Sequence, residues 1–234
     1  MPLEALIFDV DGTLAETEEL HRRAFNETFA VDGLDWYWSR DAYRHLLQTT
    51  GGKERIARYM AEIGLPQDAI DIASLHQSKT DRYLRLMGDR GLELRPGIAD
   101  LIAQAKAAGL SVAIATTTSR PNVDALCAAC FGAPAESVFP VIACGDEVSA
   151  KKPAPDVYNL ALHRLDLPPE NALAFEDSSN GLRSAEAAGV ATVVTPSIYT
   201  EDDDFTGARS VIKGVTALGG IATLTRLWPQ PETA

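Results

Sequence analysis

Three things are scarce in this chain, and each scarcity excludes something. Only three cysteines, Cys127, Cys130 and Cys144, occur in 234 residues, too few for a scaffold held by disulfides. Cys127 and Cys130 have CxxC spacing, but no second pair completes a tetrahedral zinc site. The Ala-rich stretch around them, after Pro121, reads as helix, so small buried thiols in a reduced protein are expected. Long apolar runs are missing too. Segments such as Ala5–Phe8 and Val112–Ala115 fall far short of the ~20 residues that cross a bilayer, and no membrane is expected. The N-terminus MPLEALIFDVDG carries neither a basic flank nor the apolar segment of a signal peptide. The chain therefore reads as cytoplasmic, and an organelle form with its transit peptide trimmed would read the same. Basic residues are the third shortage: 21 against 33 acidic, for a net charge of −12. Nucleic-acid binding is driven by neutralising phosphates, so nucleic acid is not an expected partner. The same charge repels a small phosphate at long range, so any phosphate site must be built from local cations. By itself the acidity implies solubility.

What is present is ordinary for a soluble globular protein: 46% hydrophobic and 23% charged residues. The length suffices for one substantial core plus a smaller module. Leu3–Val10, Ser111–Thr116, Val141–Cys144, Ala172–Glu176 and Ala191–Thr195 read as buried strands. Between them Ile98, Leu101, Ile102 and Ala105 repeat at helical spacing. Leu182, Ala185 and Gly189 suggest another helix with a glycine at its C-terminal end. Pro121, Pro153 and Pro155 sit where helices start. This alternation predicts an α/β fold, a Rossmann-like parallel sheet covered on both faces. Residues 16–90 break the rhythm. Glu16–Val31, Ser39–Leu47, Glu54–Ile63 and Ala69–Met87 are charged, helix-rich stretches with no convincing strand. The expected organisation is a catalytic core of residues 1–15 and 91–234, with a helical cap of residues 16–90 inserted after the first strand. Such an insertion overhangs the carboxyl end of the sheet, where α/β folds bind ligands.

The strongest chemical signal is Asp9-Val-Asp11-Gly-Thr-Leu, directly after the first strand. Two carboxylates at i and i+2, followed by glycine, suit a tight loop that approaches a ligand closely. A lone DxD is equally a turn, but three further features lie at strand ends. Thr116 closes the second strand, and Thr116-Thr117-Thr118-Ser119-Arg120 leads into a helix start, where hydroxyls and free N–H groups hold anions. Lys152, in KKPAPD, precedes another helix start. Glu176 and Asp177, in FEDS, end a third apolar strand. Each alone is an N-cap, a solvated lysine or a turn; together they converge on one spot. Carboxylates crowded beside a phosphate need a compact hard cation, which magnesium supplies, and a lysine for the phosphate itself.

In these motifs the sequence resembles the haloacid dehalogenase superfamily over essentially its full length. The helical insertion resembles that superfamily's small four-helix cap. Ala15-Glu-Thr-Glu-Glu-Leu-His21-Arg, Thr50-Gly-Gly-Lys-Glu-Arg55 and Gly145–Asp156 are similar to sugar-phosphate members near β-phosphoglucomutase, above all to the CbbY-type phosphatases of the Calvin cycle. The resemblance implies a magnesium-dependent hydrolase with Asp9 as nucleophile and metal ligand, and Asp11 as acid, then base. It implies Asp177, with Glu176, as further metal ligands, the Asp11 carbonyl as another, and Thr116 and Lys152 on the phosphate. The implied substrate is xylulose 1,5-bisphosphate, an inhibitory by-product of the carbon-fixing carboxylase, and the implied partner is thus a small sugar phosphate. A monomer is the expectation, although the residues themselves do not spell out an oligomeric state. A sugar-phosphate mutase shares most of these residues and stays open, since static motifs do not say whether the phosphoryl group goes to water or to a second sugar. A dehalogenase lacks the second aspartate, Asp11. A silent sugar-phosphate sensor is disfavoured by the intact catalytic positions, and a nucleotide-binding module by the absence of a Gly-rich fingerprint.

For substrate choice, Glu16, His21, Thr50, Gly51, Gly52 and Lys53 match the mutase-like cap motifs. His76 and Lys79, one helical turn apart, form a candidate cationic pair. Thr117, Thr118, Ser119 and Arg120 are placed to reach a distal phosphate from the core side. Trp36 and Trp38 are expected to pack the cap rather than to form a sugar platform.

Overall fold

The computed structural model describes residues 2–89 and 92–227. Its centre is a parallel sheet of β1 (Ala5–Phe8), β2 (Ser111–Ala115), β3 (Val141–Ala143), β4 (Ala172–Glu176), β5 (Ala191–Val194) and β6 (Ser210–Val211), in the order β3-β2-β1-β4-β5-β6. The helices are α1 (Glu18–Val31), α2 (Arg40–Leu46), α3 (Gly52–Glu62), α4 (Ile72–Asp89), α5 (Ile98–Ala107), α6 (Arg120–Phe131), α7 (Ala135–Val138), α8 (Asp156–Leu165), α9 (Ser179–Ala187) and α10 (Ile221–Leu227). The five expected strands are all present. β6 was not anticipated, because two residues are too short to show a period of two; it forms by pairing along β5 at Val193↔Ser210.

Register explains why the motifs meet. Phe8 lies opposite both Ile114 and Phe175, so the next residues along the chain, Asp9, Ala115 and Glu176, emerge side by side at the carboxyl edge. Strand alternation sends Leu6, Phe8, Ile114 and Phe175 into one apolar layer, and Ala5, Ile7, Ala113 and Ala174 into the other. Phe8 and Phe175 stack with ring centres 5.0 Å apart. The alanine-rich face admits α8 closely, with Val157, Tyr158 and Ala161 fully buried against it.

The first four helices carry their own apolar cluster around Phe25, Phe29, Trp38, Tyr43, Ile56 and Met60. Trp38 is buried among Phe25, Phe29, Tyr43 and Tyr59, and Trp36 packs edge-on against Phe29 and Tyr59. Both tryptophans are packing residues, as expected. The base of this layer joins the main core, since Leu20, Ala24, Tyr83 and Met87 belong to its cluster. The expected junction between residues 90 and 91 lies outside the described residues. α3 begins at Gly52 rather than Glu54, which brings Lys53 into its first turn. Cys127 and Cys144 are buried, Cys130 partly so, and all three are free. Burial pushes their thiols up to about 12, 12 and 11 respectively, so they are inert at neutral pH. Among the described residues no helix is long and apolar enough to cross a membrane.

Candidate active site

The carboxyl edge of the sheet opens into a cavity of about 1490 Å³, roofed by α1–α4 and reaching down to Asp9, Asp11, Lys152, Glu176 and Asp177. Asp9 leaves β1 with its N–H bonded to the Phe175 carbonyl, 3.0 Å away, which fixes it beside β4. Lys152 Nζ donates to Asp9 Oδ1 and to Glu176 Oε1, each at 2.6 Å. The Tyr158 hydroxyl donates to the same Glu176 oxygen at 2.6 Å. Asp9, Glu176 and Asp177 are all buried and present oxygens within 4.8 Å of one another. Gly12 makes this crowding feasible. Its φ of +82° suits glycine, and a Cβ there would lie 2.2 Å from Asp177 Oδ2.

One lysine does not balance three carboxylates. At an effective dielectric near 20, each like-charged pair about 4 Å apart costs on the order of 4 kcal/mol. Burial, together with Glu176 and Asp11, therefore pushes Asp9 up to about 7 even though Lys152 opposes it. Burial and the charges of Asp9 and Glu176 push Asp177 well above the usual carboxylate range. Burial would lower Lys152, but Asp9 and Glu176 outweigh it and hold the ammonium above its ordinary value. Glu176 Oε2 is buried with no hydrogen-bond partner among the described residues. Hard oxygen donors, excess negative charge and an orphaned carboxylate oxygen fit a magnesium ion held by Asp9, Asp177 and Glu176.

Asp11 faces the other way. Its Oδ1 accepts from the Thr17 hydroxyl at 2.5 Å and lies 3.1 Å from His21 Nε2. Lys79 Nζ sits 2.6 Å from His21 Nδ1. With the lysine donating, Nδ1 accepts and the proton sits on Nε2, directed at Asp11. The imidazole stacks flat on Tyr83, ring centres 3.8 Å apart, and Lys79 lies over the rings of Phe25 and Tyr83. Burial opposes ionisation of Asp11, but His21, Thr17 and Lys79 prevail and hold it near 2. Burial and the Arg55 guanidinium push Lys79 down to about 7. Thr17 stands at the N-cap of α1 yet makes no capping bond; its hydroxyl serves Asp11 instead.

The second strand's loop completes the floor. Thr116 is buried and its hydroxyl accepts from the Thr118 N–H at 3.3 Å. Thr118 in turn accepts from Asn122 at 2.8 Å. Thr117, Thr118 and Ser119 line the cavity, and the buried Ser119 hydroxyl has no partner among the described residues. From the roof, Thr50 donates to the Lys152 carbonyl. Gln48 accepts from Asn180 at 3.1 Å, and Glu54 meets Lys151 at 3.2 Å.

A family model for haloacid dehalogenase-like hydrolases matches residues 3–189. The chain belongs to that family. Its relative CbbY of Rhodobacter capsulatus is 61% identical over 217 residues, covering 93% of this chain and 96% of that one. The crystal structure of CbbY from Rhodobacter sphaeroides in complex with phosphate is 58% identical, covers 95% of this chain and 99% of its own, and has a TM-score of 0.92. A mutant of that protein in complex with xylulose 1,5-bisphosphate matches equally, at TM-score 0.92 and 58% identity over the same shares. Membership of this hydrolase family, with the site's chemistry, makes the protein a phosphatase.

Set against the family's motifs, Asp9, Asp11, Lys152, Glu176 and Asp177 come together around one cavity, with Thr116 beneath it. The specificity candidates scatter. Thr50, Gly51, Gly52 and Lys53 line the cavity, and Lys53 is exposed there with no ion pair among the described residues. Gly52 leaves room for His76, whose Nε2 would lie 2.3 Å from a Cβ. His76 and Lys79 do not act as a cationic pair: Lys79 turns to His21. Burial and the cations Lys79, Lys53 and Lys151 drive His76 down to about 3, so it is neutral. Glu16 lies on a smaller cavity of about 420 Å³ lined also by Leu20, Leu94 and Pro96, facing Arg95 at 3.5 Å. Arg120 points along α6 to Asp124 and Glu136 and does not line the cavity. Thr17, Arg55, Tyr158 and Asn122 were not foreseen. Only Thr17 carried a local signal, a hydroxyl just before an acidic helix start, and that signal reads as a cap.

Proposed function

We propose that this phosphatase hydrolyses a sugar bisphosphate, xylulose 1,5-bisphosphate, through an aspartyl-phosphate formed on Asp9, and that it requires magnesium. In this reading residues 1–15 and 91–234 form the catalytic core and residues 16–90 the cap that closes on the sugar. The carrying observation is the buried Asp9 carboxylate, held by Lys152 at 2.6 Å at the floor of a cavity large enough for a sugar bisphosphate. Lys152 fixes one Asp9 oxygen, which leaves the other to attack phosphorus. A bound magnesium ion would offset the charge of Asp9, Asp177, Glu176 and the phosphate, with the Asp11 main-chain carbonyl as a further ligand. Lys152 and the Thr116–Ser119 loop would hold the phosphate's outer oxygens. Asp11, outside the carboxylate cluster, protonates the departing sugar oxygen and then takes a proton from the water that opens the phosphoaspartate. Ionised in this structure, Asp11 stands ready for the second role; a phosphate arriving beside it raises its proton affinity for the first. Lys53, unpaired at the roof, would meet the distal phosphate.

The likeness to CbbY supports the bisphosphate, since a mutant of that relative binds xylulose 1,5-bisphosphate. The deciding experiment measures phosphate release from xylulose 1,5-bisphosphate and isomerisation of β-glucose 1-phosphate, each with magnesium and with chelator. Fast phosphate release that vanishes in chelator supports the reading. Faster isomerisation than release would move the enzyme to the mutases, and full activity in chelator would remove the metal.

A further inference from the structure

Arg95 lies at the end of the second linker between cap and core, just ahead of Pro96-Gly97 and α5. Its side chain is only 13% exposed and runs beneath the catalytic loops. Nη1 donates to the carbonyls of Gly12 and of Thr195, the latter at 2.7 Å, and Nη2 to the Pro196 carbonyl at 2.9 Å. The Arg95 N–H donates to the Leu14 carbonyl at 2.8 Å, and Nε faces Glu16 on the first linker at 3.5 Å. One guanidinium thus ties the loop after β1, the loop after β5 and both cap linkers.

Those two loops are the walls around Asp177. Gly12 approaches so closely that a Cβ would stand 2.2 Å from Asp177 Oδ2 and 3.2 Å from the Ser197 Cβ. On the other side Thr200 Oγ1 donates to the Asp177 carbonyl at 2.6 Å and accepts from the Ser197 N–H at 2.9 Å. Ser197 follows Pro196 directly. Two of the groups that border Asp177 are therefore anchored on Arg95: Gly12 directly through its carbonyl, and Ser197 through the preceding Pro196. A planar fork with five donors spans carbonyls on separate loops; a lysine ammonium, a single point on a flexible stem, does not reproduce that spacing.

We propose that Arg95 is a positioning residue that sets Asp177 for the cation and links that setting to the cap hinge. The proposal rests on Asp9, Asp177 and Glu176 being the metal site. A group that orients a metal ligand characteristically changes metal affinity by 10- to 100-fold when removed. The test is calorimetric titration of Mg²⁺ into the substrate-free protein: wild type, Arg95→Lys, Arg95→Ala and, as a control, Arg164→Ala. Arg164 also bonds a main-chain carbonyl, that of Ile142, and pairs with Glu147, away from the carboxylate cluster. The Mg²⁺ dissociation constant should rise about 10-fold or more in Arg95→Ala, less in Arg95→Lys, and stay unchanged in Arg164→Ala. Saturating Mg²⁺ should then recover most of kcat with KM for the sugar unaltered, and added guanidinium should tighten Mg²⁺ binding to Arg95→Ala. Wild-type Mg²⁺ affinity in a folded Arg95→Ala protein overturns the proposal. Should that variant not fold, wild-type affinity in Arg95→Lys does the same. A wild-type protein that binds no Mg²⁺ instead overturns the metal reading on which the proposal stands.

Discussion

The floor and the roof of the active-site cavity balance their charges differently. The floor gathers Asp9, Glu176 and Asp177 around a single lysine, so it has too much negative charge and calls for a cation. The roof sets Arg44, Lys53, Arg55 and Lys79, beside a neutral His76, against Glu18, Asp41, Glu54 and Asp81, so its charges are mixed, and Lys53, with no ion pair among the described residues, is a cation open to an anion. The floor carboxylates stand on strand ends locked by the sheet's register; the roof groups stand on helices, of which α1 and α4 pack into the main core and α2 and α3 into the roof's own apolar cluster. Chemistry that needs sub-ångström placement therefore sits on the rigid half. In the proposed reading, recognition sits on the other.

The largest break in this comparison comes from the floor. Asp9→Asn removes the proposed nucleophile and one charge of the proposed cation site, and should abolish phosphate release while circular dichroism stays native. Retention of even about a tenth of activity would disprove phosphoaspartate chemistry, since no other carboxylate occupies that attack position. Asp11→Asn stands at the border of the two halves and should cost about 10²- to 10⁴-fold in kcat, with Mg²⁺ binding preserved. Loss of Mg²⁺ binding in that variant would place its carboxylate in the cluster instead.

Roof substitutions should do less, and selectively. Lys53→Ala should lower kcat/KM for xylulose 1,5-bisphosphate by about 10- to 150-fold, the equivalent of a charged hydrogen bond of roughly 1.5–3 kcal/mol. A sugar monophosphate should lose much less. Arg120→Ala, already engaged by Asp124 and Glu136, should change the ratio of the two substrates little. The reverse ranking of these variants would mean that the arginine swings in when substrate binds.

Titration separates the halves in another way. Asp9 keeps its proton to about 7 in the folded protein, against 3.8 ordinarily. Between those values the folded state holds a proton that the unfolded chain has released, so the Asp9 contribution to stability falls as pH rises through that window. A cation replaces the proton, and Mg²⁺ should raise Tm more at pH 8 than at pH 5. An equal gain at both would uncouple Asp9 from the metal. The smallest effect belongs to the rim. Glu54→Ala removes the exposed contact with Lys151, worth at most ~1 kcal/mol, and should shift KM less than about 5-fold. A larger change in kcat would show that this contact governs cap closure.

Much of the floor was legible because its residues lie in short segments with local meaning. DVDGT, Thr116, KKPAPD and EDS each follow an apolar run and each precede a turn or helix start, so strand ends and chemistry could be read together. The roof was less legible, because its groups act across helices. His21 and Lys79 are 58 positions apart, and nothing local says that one holds the other's ring nitrogen rather than a phosphate. Glu16 and Arg120 show the same limit. Their neighbours in sequence suggested the substrate, while Arg95 in one case and Asp124 with Glu136 in the other claim them in space.

The sequence by itself determined the alternation of strand and helix, the helical insertion and the identity of the groups that meet at the cavity floor, since all of these follow from periodicity and from residues near in the chain. Only the tertiary structure decided which charges neutralise one another. Pairings such as Lys152 with Asp9 and Glu176, Thr17 with Asp11, and Arg95 with three carbonyls depend on the register of β1 between β2 and β4 and on the docking of α1 and α4. Electrostatic energy follows distance in space, and chain separation carries almost no record of it.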